Sequence, residues 1–288
     1  MGVKRIEFAM NQNDYSQTIE TLENLFKFVF KLSNDTHGRS VETRREEVGS
    51  FIFTKIGLHA HSILRLTPQS SFNQPDKNLE IWDNTSIAVL ARALIEAYYI
   101  FFYMAIEDIS QEEMEFRFLL WDYHSENRRL KKLMAIGSKN QALELLAKNV
   151  DHLKRAVKDH QYFNMIDHRR HRKIIKGDVP ILLTNKKIAE KAGIDPNYHE
   201  ATYNLLSSYI HTFPFSISQI SAINDTEQIL ELMEVVLNEC IGYLCFAIRD
   251  FVILFPDQKV YMVQSIQQNI EIWEYVFKNM SNWNQFRT

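Results

Sequence analysis

Tight turns draw on glycine and proline, and this chain of 288 residues has eight of the first and six of the second. A many-stranded sheet needs a turn about every ten residues, at positions that tolerate special backbone angles. Fourteen such residues do not supply that, so the chain must run through long elements. The spacing of its apolar residues identifies these as helices. Ile19, Leu22, Leu25, Phe26, Val29 and Phe30 recur at helical spacing and predict a helix from about Tyr15 to Lys31. A second is expected from Glu42 to Leu66, ended by Pro68, and a third from the capping residues Asp83 to Ser86 up to Asp108. Further helices are expected at Glu112–Met134, Ala142 to about Lys173, Lys186–Ala192, Pro196–His211, Thr226–Phe255 and Gln258 to about Asn279. The fold class is all-α, expected as one large bundle-like domain of about eight or nine helices. Within it, residues 1–50 form an N-terminal helical extension, 55–255 the core and 256–288 a capping helix. "KGDVPILLTN" is the one clearly non-helical stretch, and no Gly-, Ser- or Pro-rich linker marks a domain boundary.

The third helix holds the most apolar run, "ARALIEAYYIFFYM", with Arg92 and Glu96 embedded one turn apart. Ser86 to Ile106 is long enough for a membrane span and has two charges. Central Arg and Glu are costly in a bilayer, so a buried core helix without membrane contact is expected. Arg92, Glu96, Tyr99, Tyr103 and Glu107 form a stripe one residue wide, at spacings of 4, 3, 4 and 4. Charges on so narrow a stripe need partners from other helices, either as an ion pair that ties helices together or as an anion-holding Arg beside an acid/base Glu. A second stripe, Tyr203, Ser207 and His211, has spacing four in "YNLLSSYIH" and brings two hydroxyls and an imidazole to one face. The helix C-terminus favours imidazolium at His211, which suits anion binding better than base catalysis. The candidate catalytic set is therefore Arg92, Glu96 and His211, with Tyr99, Tyr203 and Ser207 as substrate-binding residues.

The combination of "DNTS", "RALIE" (83–96) and the later "YNLLSSYIH" resembles a family of bacterial all-helical proteins of uncharacterised function, over roughly residues 55–255. The resemblance implies that Arg92, Glu96, Tyr203, Ser207 and His211 share one polar centre, and it supplies no activity. A more distant similarity is to the helical HEPN superfamily, whose ribonuclease members use R-x4–6-H. Two literal matches occur, Arg117 to His124 and Arg155 to His160, where roughly one or two are expected by chance. It implies a ribonuclease-like or phosphate-substrate enzyme in a toxin or phage-defence setting.

Other chemistry is excluded by absence. No two glycines lie within four residues of each other, so phosphate-binding P-loops and dinucleotide fingerprints are missing. No G-x-S-x-G, H-E-x-x-H, C-x-x-C or E-x-x-H pattern occurs, so neither a cofactor nor a metal site is expected. Cys240 and Cys245 are the only cysteines and diverge on a helix; with no secretory signal, a reducing cytoplasm is expected.

Net charge is −3, which gives no global pull toward nucleic acid. Locally, Lys154 to Lys176 carries eight basic and two acidic residues around "DHRRHRK". That density reads either as a solvated helix end or as a nucleic-acid contact through Arg169, Arg170 and Arg172. The alternative to an enzyme is thus a non-enzymatic interaction or nucleic-acid-binding protein. "TNKKIAEKAGIDPNY" has the outline of a helix-turn-helix, but its second helix lacks Arg and Lys and is expected to pack inward. Trp273, Tyr275, Phe277 and Trp283 make the last helix a core cap or a homodimer contact, the cap being favoured.

Overall fold

The computed structural model describes residues 12–73, 82–138, 141–211, 214–222 and 226–279. Among them there are no strands and twelve α-helices, with a π-helical turn at Phe102–Ile106 and a 3-10 turn at Pro256–Tyr261. The all-α expectation holds, with more helices than the eight or nine expected. The extra ones arise where local side-chain caps break longer periodic runs. The predicted helix from Ala142 to Lys173 is three: α5 (Gln141–Asp159), α6 (Gln161–Met165) and α7 (His168–Ile175). His160 caps α6 by accepting from the Tyr162 N–H, and Asp167 caps α7 by accepting from the Arg169 N–H. A further short helix, α10 (Pro214–Ala222), follows the end of α9 and starts at Pro214, because proline suits a first helical turn.

The chain forms two compact units, residues 1–106 with 185–288, and residues 107–184. The first contains α1 (Gln12–Thr36), α2 (Arg44–Leu66), α3 (Asn84–Phe101), α8 (Asn185–Lys191), α9 (Pro196–Ile210), α10, α11 (Thr226–Leu254) and α12 (Gln264–Asn279). The long helices begin at strong caps. Thr43 and Glu46 make a reciprocal capping box on α2, and Asp83 caps α3. Asp195 caps α9 with Pro196 in its first turn.

α3 is the central element, packed on α2, α11 and α9. Its Ile87, Leu94, Ile95, Tyr98 and Phe101 are buried. Phe53 of α2 stacks on Phe251 of α11 with centroids 3.9 Å apart, and Phe101 tilts against the Phe53 ring. Burying one such ring contributes about 1.5–3 kcal/mol, against a few tenths for a solvated helix ion pair. The core therefore stabilises the unit, and the charges of α3 need a separate account. Asn84–Ile106 is long and apolar enough to cross a membrane, and 67% of its apolar window is buried inside the fold. α12 closes on α11 at Gly242, where an added Cβ would lie 2.6 Å from Trp273. Phe277 is fully buried and Tyr275 exposed, while Trp283 lies outside the described residues.

The second unit consists of α4 (Gln111–Ala135), α5, α6 and α7 around Phe116, Leu120, Tyr123, Val150, Val157 and Ile174. Arg117, 1% exposed, is held between Glu107 at 2.7 Å and Glu113.

Candidate functional site

The seam between α3 and α9 collects the charged stripe of the first helix and the hydroxyl stripe of the second. Arg92 donates from Nε to Glu96 Oε1 at 3.0 Å, from Nη1 to Ser207 Oγ, and from Nη2 to Tyr203 Oη at 2.5 Å. Its guanidinium also lies over the Tyr203 ring, 4.0 Å from the centroid, which adds a cation–π contact. Tyr203 Oη donates onward to Glu96 Oε1 at 3.2 Å. Every nitrogen of Arg92 is thus engaged by a partner of fixed position, and its side chain is 12% exposed, whereas Glu96 is 44% exposed. Arg preceding Glu is the weaker order for a surface pair, so cross-helix partners rather than helix electrostatics hold this arrangement.

Beneath it lies a second polar layer. Tyr99, one residue short of a full turn after Glu96, points inward. Its hydroxyl meets His199 Nδ1 at 2.7 Å and Tyr243 Oη of α11 at 2.6 Å. Burial, and then the positive charge of Lys186, holds His199 below the usual imidazole range, which favours the neutral ring. Burial pushes the phenols of Tyr99 and Tyr243 up, so both remain protonated.

Deeper still, Tyr198 Oη and Thr202 Oγ1 donate to Glu239 Oε1 at 2.5 and 3.2 Å, and Glu239 Oε2 is buried with no hydrogen-bond partner. Burial raises the Glu239 carboxyl to about 7, against the opposing pull of its two donors. The seam therefore runs from a half-exposed ion pair through a tyrosine–histidine layer to a buried carboxyl.

Of the residues singled out from sequence, Arg92, Glu96, Tyr203 and Ser207 are hydrogen-bonded together, and Tyr99 belongs to the layer below. His211 is the C-cap of α9, exposed, and its N–H donates to the Ser207 carbonyl at 3.2 Å. Tyr103 is buried in the π turn, and Glu107 pairs with Arg117, so the α3 stripe stops short of Glu107. His199, Tyr198, Thr202, Glu239 and Tyr243 were not among the candidates. Extending the α9 stripe back one turn from Tyr203 reaches His199, and Glu239 with Tyr243 repeats the same spacing on α11.

The basic residues lie in the second unit. Arg169 pairs with Asp167, Arg170 donates to the Leu182 carbonyl, and Arg172 is exposed. The two R-x4–6-H matches are engaged structurally. Arg117 is buried between its two glutamates and His124 Nδ1 meets the Gly177 carbonyl at 2.9 Å. His160 caps α6, and Arg155 donates to its own helix at Asp151. Among the described residues no group of three or more His, Cys, Asp or Glu is arranged to hold a metal ion.

An all-α protein with an arginine-centred polar seam between two core helices is the class that this geometry defines. The chain belongs to a family of unknown function, DUF5677, whose pattern matches residues 46–229 and so runs from α2 through α10 into the start of α11, with both halves of the seam. No curated protein and no solved structure matches the chain.

Proposed function

We propose that the α3–α9 seam is an enzyme site for a phosphate-bearing substrate, with ribonuclease-like phosphodiester cleavage as its specific form. The observation that supports this is the asymmetry of the ion pair. Arg92 is immobilised by three bonds and a ring, while its partner carboxylate stays 44% exposed. A guanidinium has five N–H donors, so Arg92 keeps two for an anion after its three internal bonds. Holding the group rigid lowers the ordering cost of binding a phosphate.

Glu96 would accept the proton of the attacking hydroxyl, and His211, one turn beyond Ser207, would return a proton to the leaving oxygen. Tyr203 and Ser207 position Arg92, and the neutral His199 with Tyr99 holds Tyr203 from behind, its ring 5.3 Å from that of Tyr203. A second, non-enzymatic reading is nucleic-acid binding through residues 154–176. It is favoured by the exposure of Arg169, Arg172 and Lys173.

Turnover of a labelled RNA oligonucleotide by the full chain tests the first reading. Glu96→Gln should lower the rate by about 10²–10⁴-fold with an unchanged melting temperature, and Arg92→Lys should also lower it. His211→Ala should lower the rate as well. No cleavage by the wild-type chain, or full activity in Glu96→Gln, rejects the site.

A further inference from the structure

We infer that the C-terminal half of α4 and the last turns of α7 form one surface that binds a nucleic-acid phosphate backbone. The inference rests on the nucleic-acid reading of the second unit and relocates its contact face. In sequence, "RRLKK" (128–132) and "RKIIK" (172–176) stand about 40 residues apart, and only the second lies in the basic segment. The fold joins them. Tyr123 Oη donates to the Ile175 carbonyl at 2.5 Å, Asn127 Nδ2 to the Lys176 carbonyl at 2.8 Å, and Lys131 Nζ to the same carbonyl at 3.0 Å. Together with His124 on Gly177, one face of α4 takes up the carbonyls that α7 leaves unpaired at its C-terminus.

Gly177 makes the close approach possible. Its φ is +69°, and an added Cβ would lie 2.1 Å from Asn127 Nδ2. Around this joint Arg128, Lys131, Lys132, Arg172, Lys173 and Lys176 are all exposed. Three of them, Arg128, Lys131 and Lys176, register on Asp178. Its carboxyl is held below the ordinary range by its hydrogen bond to Lys131, and further by the charges of Lys131, Lys176 and Arg128. With Arg129 and its partner Glu126 on α4 added, seven cations stand against two carboxylates, a strong local excess. The unit as a whole carries 15 basic against 12 acidic residues, whereas the rest of the chain carries 18 against 24.

A phosphodiester backbone fits this surface better than a lipid bilayer does. The exposed residues of α7 are His168, Arg169, Arg172 and Lys173, and its Ile174 is buried, so apart from Met134 and Ile136 at the end of α4 the surface presents cations rather than an apolar face for insertion between lipids.

Fluorescence anisotropy of the full chain with a labelled single-stranded RNA and a labelled DNA duplex, over a salt series, tests the surface. In R128Q/R172Q/K176Q the dissociation constant should rise at least tenfold near 0.1 M salt. Its salt slope on the single strand should fall by about two, roughly 0.7 per lost contact. R128K/R172K, which keeps the charge, should bind like the wild type, and K55Q/K148Q, exposed lysines outside both 128–132 and 154–176, should change affinity less than twofold. Circular dichroism confirms that each variant is folded. Nucleic-acid binding that is unaltered in the triple variant overturns this surface and leaves the other cations of residues 154–176 as the contact, and a larger loss in K55Q/K148Q overturns it as well. No binding of either nucleic acid by the wild type overturns both, as does capture by anionic phospholipid vesicles alone.

Discussion

Glu239 shows how far burial decides a residue's chemistry. Two donors stabilise its charged form, yet desolvation outweighs them and the carboxyl sits near 7 rather than 4.5. With the folded value raised above the unfolded one, the folded state holds the extra proton between about pH 4.5 and 7. Stability contributed by this group is thus fully present below pH 4.5 and is lost as pH rises through 7, by on the order of 3 kcal/mol in total. Glu239→Gln, whose amide oxygen can accept from Tyr198 and Thr202, should remove this component. Subtracting its denaturation free energies from those of the wild type between pH 4 and 8 isolates it, and parallel curves would show that Glu239 does not titrate there. At this scale the sequence revealed the outer layer of the seam, because Arg92 and Glu96 are conspicuous in an apolar run. It hid the inner layers. Histidine, tyrosine and threonine are ordinary on an amphipathic helix, and nothing local shows that Tyr99 turns toward α11 rather than along its own stripe.

Elements were legible where apolar periodicity and caps agreed, as in α2, α4 and α9, and less so where they conflicted. Residues 142–173 keep a helical rhythm throughout, but the His160 and Asp167 side chains bond to nearby N–H groups and stop the helix twice. The stripe of α3 fails beyond Tyr103 for a related reason, since a π turn has more residues per turn and rotates the residues beyond it out of line. Close helix contact is also invisible in a periodic pattern unless a glycine is read as a space. Gly242 sits under Trp273 and Phe277, and Gly242→Ala would place a methyl 2.6–2.7 Å from both rings. Such overpacking costs about 1–3 kcal/mol, and a melt followed by circular dichroism should show a drop of several degrees. A loss of less than one degree would mean that α12 lifts freely off α11.

For the whole molecule, the all-α class was legible because few turn residues require long elements and the apolar spacing makes those elements helices. The partition of charge between residues 107–184 and the rest was not visible, because a net charge averages over both. The two cysteines give a global readout of the first unit. Both are fully buried on α11, and burial pushes both thiols up, so the reactive thiolate is suppressed twice over. A thiol-specific colorimetric reagent should label neither in the folded chain and both in denaturant. Its slow labelling rate under native conditions then measures how often α11 is uncovered. Prompt labelling of either cysteine without denaturant would contradict the buried α11.

The order of the segments also has a consequence during synthesis. Residues 107–184 are contiguous, whereas α3 emerges after its neighbour α2 but long before α9 and α11, the other two helices that cover it. At about 5–20 residues per second, the roughly 150 residues from the end of α3 to the end of α11 take on the order of ten seconds to appear. Until then the faces of α3 that α9 and α11 cover stay open on an apolar helix of membrane-spanning length, and the charges of Arg92 and Glu96 disfavour its insertion into a bilayer.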